Sequence, residues 1–181
     1  MKRVRRGVAL LGAALLLSGC ASTPMLAPVA SGDALSGRLA VNVDASDGLP
    51  ARNLSAAFDL RGNADTGSLD LATPLGSVLA RARWQPGDVV LATPQGEARY
   101  ADLDSLSREA LGEALPLAAL FDWLRGRPWP GAASTLTQPP DEPGFRQLGW
   151  VVSLLRFDES QVAARREATP TVTLRARIDR P

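Results

Sequence analysis

Between residues 37 and 100 apolar and polar side chains alternate with a period of two, the spacing of strands with one buried face. In residues 37–44, Leu39, Val41 and Val43 alternate with Arg38, Ala40, Asn42 and Asp44. Residues 53–61 repeat this with Leu54, Ala56, Phe58 and Leu60, and residues 68–73 with Leu69 and Leu71. Residues 77–84 place Val78, Ala80, Ala82 and Trp84 on one face and Arg81 and Arg83 on the other; 89–93 and 97–100 follow. Turn chemistry separates the runs. Thr73-Pro74-Leu75-Gly76 fixes φ with proline at the first central position and has glycine after the second, and Pro86-Gly87-Asp88 and Pro94-Gln95-Gly96 act similarly. Short strands joined by tight turns predict an antiparallel meander with one wet face.

The period then changes. Over residues 102–112, Leu103, Leu106, Ala110 and Leu111 have helical spacing, with Asp102 or Asp104 as N-cap. Residues 111–131 follow, with Leu117, Leu120, Phe121 and Leu124 on one helical face. Pro116 suits the first helical position, Gly126 the C-terminal stop, and Pro128 and Pro130 prevent a restart. An apolar helix inside a β chain must cover something. It is either a plug in an ordinary core or a lid over an apolar cavity. Strands resume at 134–138 and at 145–157, which is apolar on both faces and therefore predicts the most buried strand, or one bent near Gly149. A weak candidate at 162–168 and a clear one at 171–179 complete about ten strands and two helices. The fold class expected is mainly β.

The first residues do not share this pattern. Lys2, Arg3, Arg5 and Arg6 precede an apolar run over residues 8–17, too short for the ~20 residues that span a bilayer and suited to a signal peptide. The run ends in Leu17-Ser18-Gly19-Cys20, which resembles the bacterial lipoprotein signal, in which the cysteine is acylated and becomes the new N-terminus. The expected organisation is a signal peptide over 1–19, a lipidated N-terminus and flexible tether rich in Pro, Ser, Ala and Gly over 20–36, and a β domain over 37–181. Residue 21 is alanine; aspartate there resembles an inner-membrane retention signal, so Ala21 points to the outer membrane.

Removing the signal leaves 16 basic against 19 acidic residues, a net charge of about −3, and no lysine, because Lys2 is the only one. Such a protein is a poor candidate for a nucleic-acid binder, which needs a basic face to neutralise phosphates. It has no histidine, and its one cysteine is Cys20. That removes histidine acid–base catalysis, Ser-His-Asp triads, and His or Cys metal sites, and without lysine there is no P-loop. No metal, cofactor or enzymatic activity is expected. The carboxylate pairs Asp102 with Asp104, Glu109 with Glu113, and Asp141 with Glu142 read as solvated faces, with two-carboxylate glycosidase chemistry the sharper alternative. Apolar features remain. Leu71, Trp84, Leu91, Leu120, Trp123, Leu124 and Trp150 are the candidates for lining or supporting a cavity, against the simpler role of core anchors; Trp129 follows the second helix. Leu75 sits at a turn tip where Asn, Asp or Gly is usual, as a lipid wedge, a docking knob or an ordinary exposed leucine.

Together these pieces resemble the LolB family, receptors of the outer membrane. The resemblance rests on Leu17-Ser18-Gly19-Cys20, the Gly37-Arg38-Leu39-Ala40-Val41 strand start, LDLATPLG over 69–76, Gln85-Pro86-Gly87, the LPL…L…WL.G.P rhythm of 111–130, and FRQLGW over 145–150. It is clearest over residues 69–157. A Pro-rich tether replaces the family's longer helical segment before the first strand, and the C-terminal strands are abbreviated. The resemblance implies a half-open antiparallel β-barrel covered by short α-helices. It also implies a receptor that takes lipoproteins from a soluble periplasmic carrier, holds their acyl chains in an apolar cavity and inserts them into the outer membrane. Its partners would be that carrier, the cargo lipoproteins and the membrane, with the protein a monomer on the periplasmic face and Leu75 the delivery residue. The alternatives are a structural or assembly lipoprotein with a filled barrel core, and an enzyme on cell-wall or lipid substrates.

The signal makes one prediction. Cys20→Ala should leave the precursor unacylated and absent from the outer membrane, read by fractionation and metabolic labelling; correct membrane attachment of that variant would overturn the assignment.

Overall fold

The computed structural model describes residues 34–46 and 48–179; Cys20, the signal segment and most of the tether lie outside them. Six strands come first: β1 (Leu35–Val43), β2 (Arg52–Gly62), β3 (Gly67–Ala72), β4 (Val78–Gln85), β5 (Asp88–Thr93) and β6 (Gly96–Tyr100). Two helices follow, α1 (Leu103–Leu111) and α2 (Leu117–Trp123). Then come β7 (Ser134–Leu136), β8 (Gly144–Gln147), β9 (Trp150–Ser153), a 3-10 turn (Phe157–Glu159), β10 (Gln161–Arg166) and β11 (Val172–Ile178).

All eleven strands form one antiparallel sheet in the order β6-β5-β4-β3-β2-β1-β11-β10-β9-β8-β7. Because β11 pairs with β1, the first and last strands lie at the centre. The alternation read in the sequence is what the sheet uses: Leu39, Val41 and Val43 of β1, Phe58 and Leu60 of β2, and Val172, Leu174 and Ala176 of β11 are all buried in one core. The sheet does not close. Its free edges are β6, with Glu97 and Arg99 exposed, and β7, three exposed residues long.

That topology dictates where the helices go. β6 and β7 are consecutive strands at opposite edges, so the chain between them must cross the whole width of the sheet. The crossing contains α1 and α2. Phe121 of α2 meets Trp84 of β4 edge-on, at 5.8 Å between ring centroids. Trp123 of the same helix meets Phe145 of β8 at 6.4 Å and Trp150 of β9 at 6.0 Å. One short helix thus touches both halves of the sheet, which must curl around it. The result is a half-open barrel whose gap is stopped by helices. Burying each of Leu117, Leu120, Phe121, Trp123 and Leu124 stabilises that closure by about 1.5–3 kcal/mol.

Local signals set the helix ends. The Asp102 carboxylate caps α1 by accepting the Ser105 N–H at 2.7 Å, and bonds from the Ser105 side chain and backbone hold its carboxyl below the ordinary carboxylate value. Gly112, at φ 80°, ends the helix. Pro116 stands one position earlier than expected: it is the N-cap of α2, with φ −76° and ψ 66°, because its carbonyl accepts from Ala119 and Leu120 while its own ψ lies outside the helical range. Gly126, at φ 74°, makes the stop that was read from the sequence, and the Phe157 ring packs so closely that a Cβ there would meet it at 2.7 Å.

The segment read as one doubly buried or bent strand over 145–157 is instead a hairpin, followed by the 3-10 turn. Gln147-Leu148-Gly149-Trp150 makes the two-residue turn. Passing through it changes the parity of the buried positions, from Phe145 and Gln147 to Trp150 and Val152. Both parities face the same core from opposite strands, so the run looked apolar on both sides. Leu148 takes φ 53° and Gly149 φ 76°, and an L-residue in that left-handed region costs on the order of 1–2 kcal/mol.

Trp84 depends on a neighbour without a side chain. Its indole lies against Gly67, its partner on β3, and donates its N–H to the Asn63 carbonyl at 3.0 Å. A Cβ on Gly67 would fall 2.5 Å from the indole and 2.6 Å from the Arg61 carbonyl oxygen. Gly67→Ala should therefore cost about 1–3 kcal/mol through overpacking, roughly 2–4 °C of melting temperature per kcal/mol in a chain of this size. Thermal melting with near-ultraviolet dichroism checks this, and an unshifted melt with an unchanged tryptophan signal would rule the contact out.

Candidate functional site

Next to α2 the sheet leaves a groove of about 720 Å³ whose lining is mainly apolar with a polar share. Trp84 and Val89 form one wall, Ala118 and Ala119 at the start of α2 another, and Leu148 and Trp150 a third, with Trp129 also on the surface of the groove. The polar side chains Asp65, Gln85, Asp102, Asp104 and Arg166 also border it. Of the seven residues singled out in the sequence, Trp84 and Trp150 line this groove. Leu120, Trp123 and Leu124 are buried in the core, and Leu71 and Leu91 are partly buried against it. The amphipathic face of α2 is therefore packed inside the barrel, and the open space lies at the helix's N-terminal end.

One side chain that the sequence did not mark holds this arrangement. Gln147 is only 3% exposed. Its Oε1 accepts the indole N–H of Trp123 at 2.8 Å and the backbone N–H of Trp129 at 2.9 Å. Its Nε2 donates to the carbonyls of Trp129 at 2.6 Å and Ala132 at 2.7 Å. A carboxamide has two donors and two acceptor lone pairs, so its capacity is filled. The signal was present: Gln147 is the polar residue at an inward position of an otherwise apolar run, two residues after Phe145.

A second long-range pair also ties the helical crossing to the sheet. Arg166 of β10 donates to Glu113, in the α1–α2 linker, at 2.6 Å, with both side chains largely covered. The Arg166 guanidinium lies 5.8 Å from the Trp150 ring centroid, and its Nε makes no hydrogen bond. The carboxylates of the 141–142 pair have structural partners too. Asp141 pairs with Arg146 at 2.9 Å, and Glu142 accepts from the Ser153 hydroxyl at 2.5 Å. Among the described residues no three His, Cys, Asp or Glu side chains converge on a point where a metal would sit. No described helix is long and apolar enough to cross a membrane.

Leu75 stands apart from the groove, 96% exposed at the β3–β4 tip. The tip is held by Gly76 N–H to Thr73 O at 2.9 Å, Thr73 N–H to Ser77 O at 2.8 Å and Ser77 N–H to the Thr73 hydroxyl at 3.1 Å, with Gly76 at φ 85°. These are the marks of a three-residue loop closed by a left-handed residue.

The family model described as outer membrane lipoprotein LolB matches residues 34–178. Curated relatives carrying the name outer-membrane lipoprotein LolB include one from Bordetella pertussis, 35% identical over 176 residues that cover 92% of this chain and 88% of the relative. Another, from Bordetella petrii, is 34% identical over 187 residues, covering 97% and 93%. A third, from Chromobacterium violaceum, is 33% identical over 158 residues, covering 83% of each.

The polar clamp makes the prediction here. Gln147→Leu keeps the volume and adds hydrophobicity, yet strands the Trp123 and Trp129 donors and two carbonyls. Each buried group left unpaired costs about 1–3 kcal/mol, so the variant should lose at least about 2 kcal/mol in urea denaturation. Equal or greater stability would show that the clamp does not hold the crossing.

Proposed function

The chain belongs to the LolB family of outer-membrane lipoproteins, and from that membership we propose that it is a receptor that takes lipoproteins from a soluble periplasmic carrier, shelters their acyl chains, and inserts them into the outer membrane. The family localises lipoproteins and is not a family of enzymes. The proposed mechanism is binding, with no covalent step. Residues 1–19 act as the signal peptide, Cys20 carries the lipid anchor, and 20–36 tether the domain to the periplasmic face of the membrane.

The observation that carries this reading is the mainly apolar groove between β4–β5, the start of α2 and the β8–β9 hairpin with β10. Each methylene moved from water into such a site gains about 0.8 kcal/mol. An affinity step of only about 1.4 kcal/mol from carrier to receptor favours transfer tenfold, without a nucleotide. Delivery requires the opposite balance, a groove that holds acyl chains less tightly than the bilayer does. The candidates Leu120, Trp123 and Leu124 support the site from the core, Leu71 and Leu91 from the layer packed against it, and Trp84 and Trp150 line it. A second reading, a structural lipoprotein, is favoured by the close packing of Leu120 and Trp123 inside the barrel. Binding of a fluorescent fatty acid by the purified, unacylated protein separates the two, since a filled core takes up none.

Leu75 serves the last step in this proposal. Burying one leucine in lipid contributes roughly 1.5–3 kcal/mol, too little to anchor a protein but enough to orient one already tethered. Leu75→Glu should keep the fold and uptake from the carrier, and lose deposition into liposomes. With uptake and deposition assayed separately on labelled lipoprotein, loss of both steps makes Leu75 a docking or folding residue, and loss of neither ends the idea.

A further inference from the structure

The turn Gln147-Leu148-Gly149-Trp150 carries a residue that its backbone disfavours. Both central residues have positive φ, 53° and 76°. That pattern lets a two-residue hairpin follow the strand twist, and it selects Asn-Gly, Asp-Gly or Gly-Gly. Gly149 meets the requirement. Leu148 has a Cβ that crowds the neighbouring carbonyl in this region, and no side-chain oxygen with which to bond the local backbone. Among the described residues the other non-glycine with positive φ is Ser160, a short polar side chain that ends the 3-10 turn.

The fold explains the turn but not the leucine. A two-residue connection makes Gln147 and Trp150 register partners, both facing the core. Asparagine at 148 would serve that purpose better. The Leu148 side chain is 46% exposed and belongs neither to the core nor to the apolar residues packed on it. It lies on the groove wall, together with Trp84, Trp129 and Trp150.

We propose that Leu148 is an acyl-contact residue of the groove, held by the β8–β9 hairpin where its side chain meets the hydrocarbon chain of the cargo. This rests on the receptor reading above. Strain kept at a position where a better-suited residue exists marks a functional demand. The hairpin has a firm base, because the Gln147 carboxamide is saturated by Trp123 at the end of α2 and by the segment after it. An acyl chain suits the contact: it makes no hydrogen bonds, and the half-exposed leucine completes its burial only when such a chain arrives.

The experiment uses the mature chain with a fluorescent long-chain fatty acid as probe, in wild type, Leu148→Asn and Leu148→Met. The asparagine variant should melt at or above the wild-type temperature and bind the probe about tenfold more weakly, the equivalent of about 1.4 kcal/mol. The methionine variant, apolar and flexible, should bind close to wild type. The proposal is overturned if asparagine leaves binding unchanged, if both variants lose it equally, or if asparagine lowers the melting temperature. Absence of probe binding by wild type itself instead defeats the receptor reading, and is distinguishable because it needs no variant.

Discussion

The structure depends on how an unclosed sheet is held shut. A closed barrel is fixed by strand-to-strand hydrogen bonds around its whole circumference. Here that ring is broken between β6 and β7, and the closing element is a seven-residue helix. Hydrophobic burial of α2 supplies attraction but little direction, since apolar contacts tolerate sliding. Direction comes from the Gln147 carboxamide, whose four bonds reach the helix's last residue and the segment after it. In a low-dielectric interior such bonds are strong, and any slip leaves unpaired groups behind. The two ends of the crossing are thus treated differently. The C-terminal end of α2 is pinned, while its N-terminal end borders open space and is tied through Glu113 to Arg166.

In the receptor reading proposed above, this asymmetry suits a site that accepts and releases the same ligand. The firm end supports the hairpin that carries Trp150, and the freer end faces the groove. The chain has no histidine to serve as a titratable switch near neutral pH. The β3–β4 tip that carries Leu75 is separate from both, so the proposed membrane contact and the proposed ligand contact fall on different hairpins.

Most of the sheet was legible in the sequence because its signals are local. Period-two alternation marked β1 to β6 and β11, and proline–glycine turns separated them. Both helices were legible from spacing, and the exposed tip at Leu75 from turn chemistry alone. What was hidden depended on long-range partners. Gln147 reads as one polar residue in an apolar run until Trp123 and Trp129 are brought to it, and Arg166 and Glu113 lie 53 residues apart. The β8–β9 hairpin was missed because its turn carries leucine where asparagine would have announced it. Of the cavity candidates, those on α2 were chosen for their apolar face, which is a property of core and of lining alike; which of them borders open space is decided by the curl of the sheet, and no local pattern encodes that.

The two free edges have a consequence for life on a surface. A protein anchored in a membrane is confined to a plane, where its copies meet far more often than they would in bulk solution. An open sheet offers unpaired backbone donors and acceptors at each edge, and copies meeting edge to edge would grow into a continuous ribbon. β7 is too short to template such growth, and β6 places Glu97 and Arg99 on its exposed length. The two strands that border the opening of the barrel are thus poorly suited to edge-to-edge growth, even where copies are crowded on a membrane.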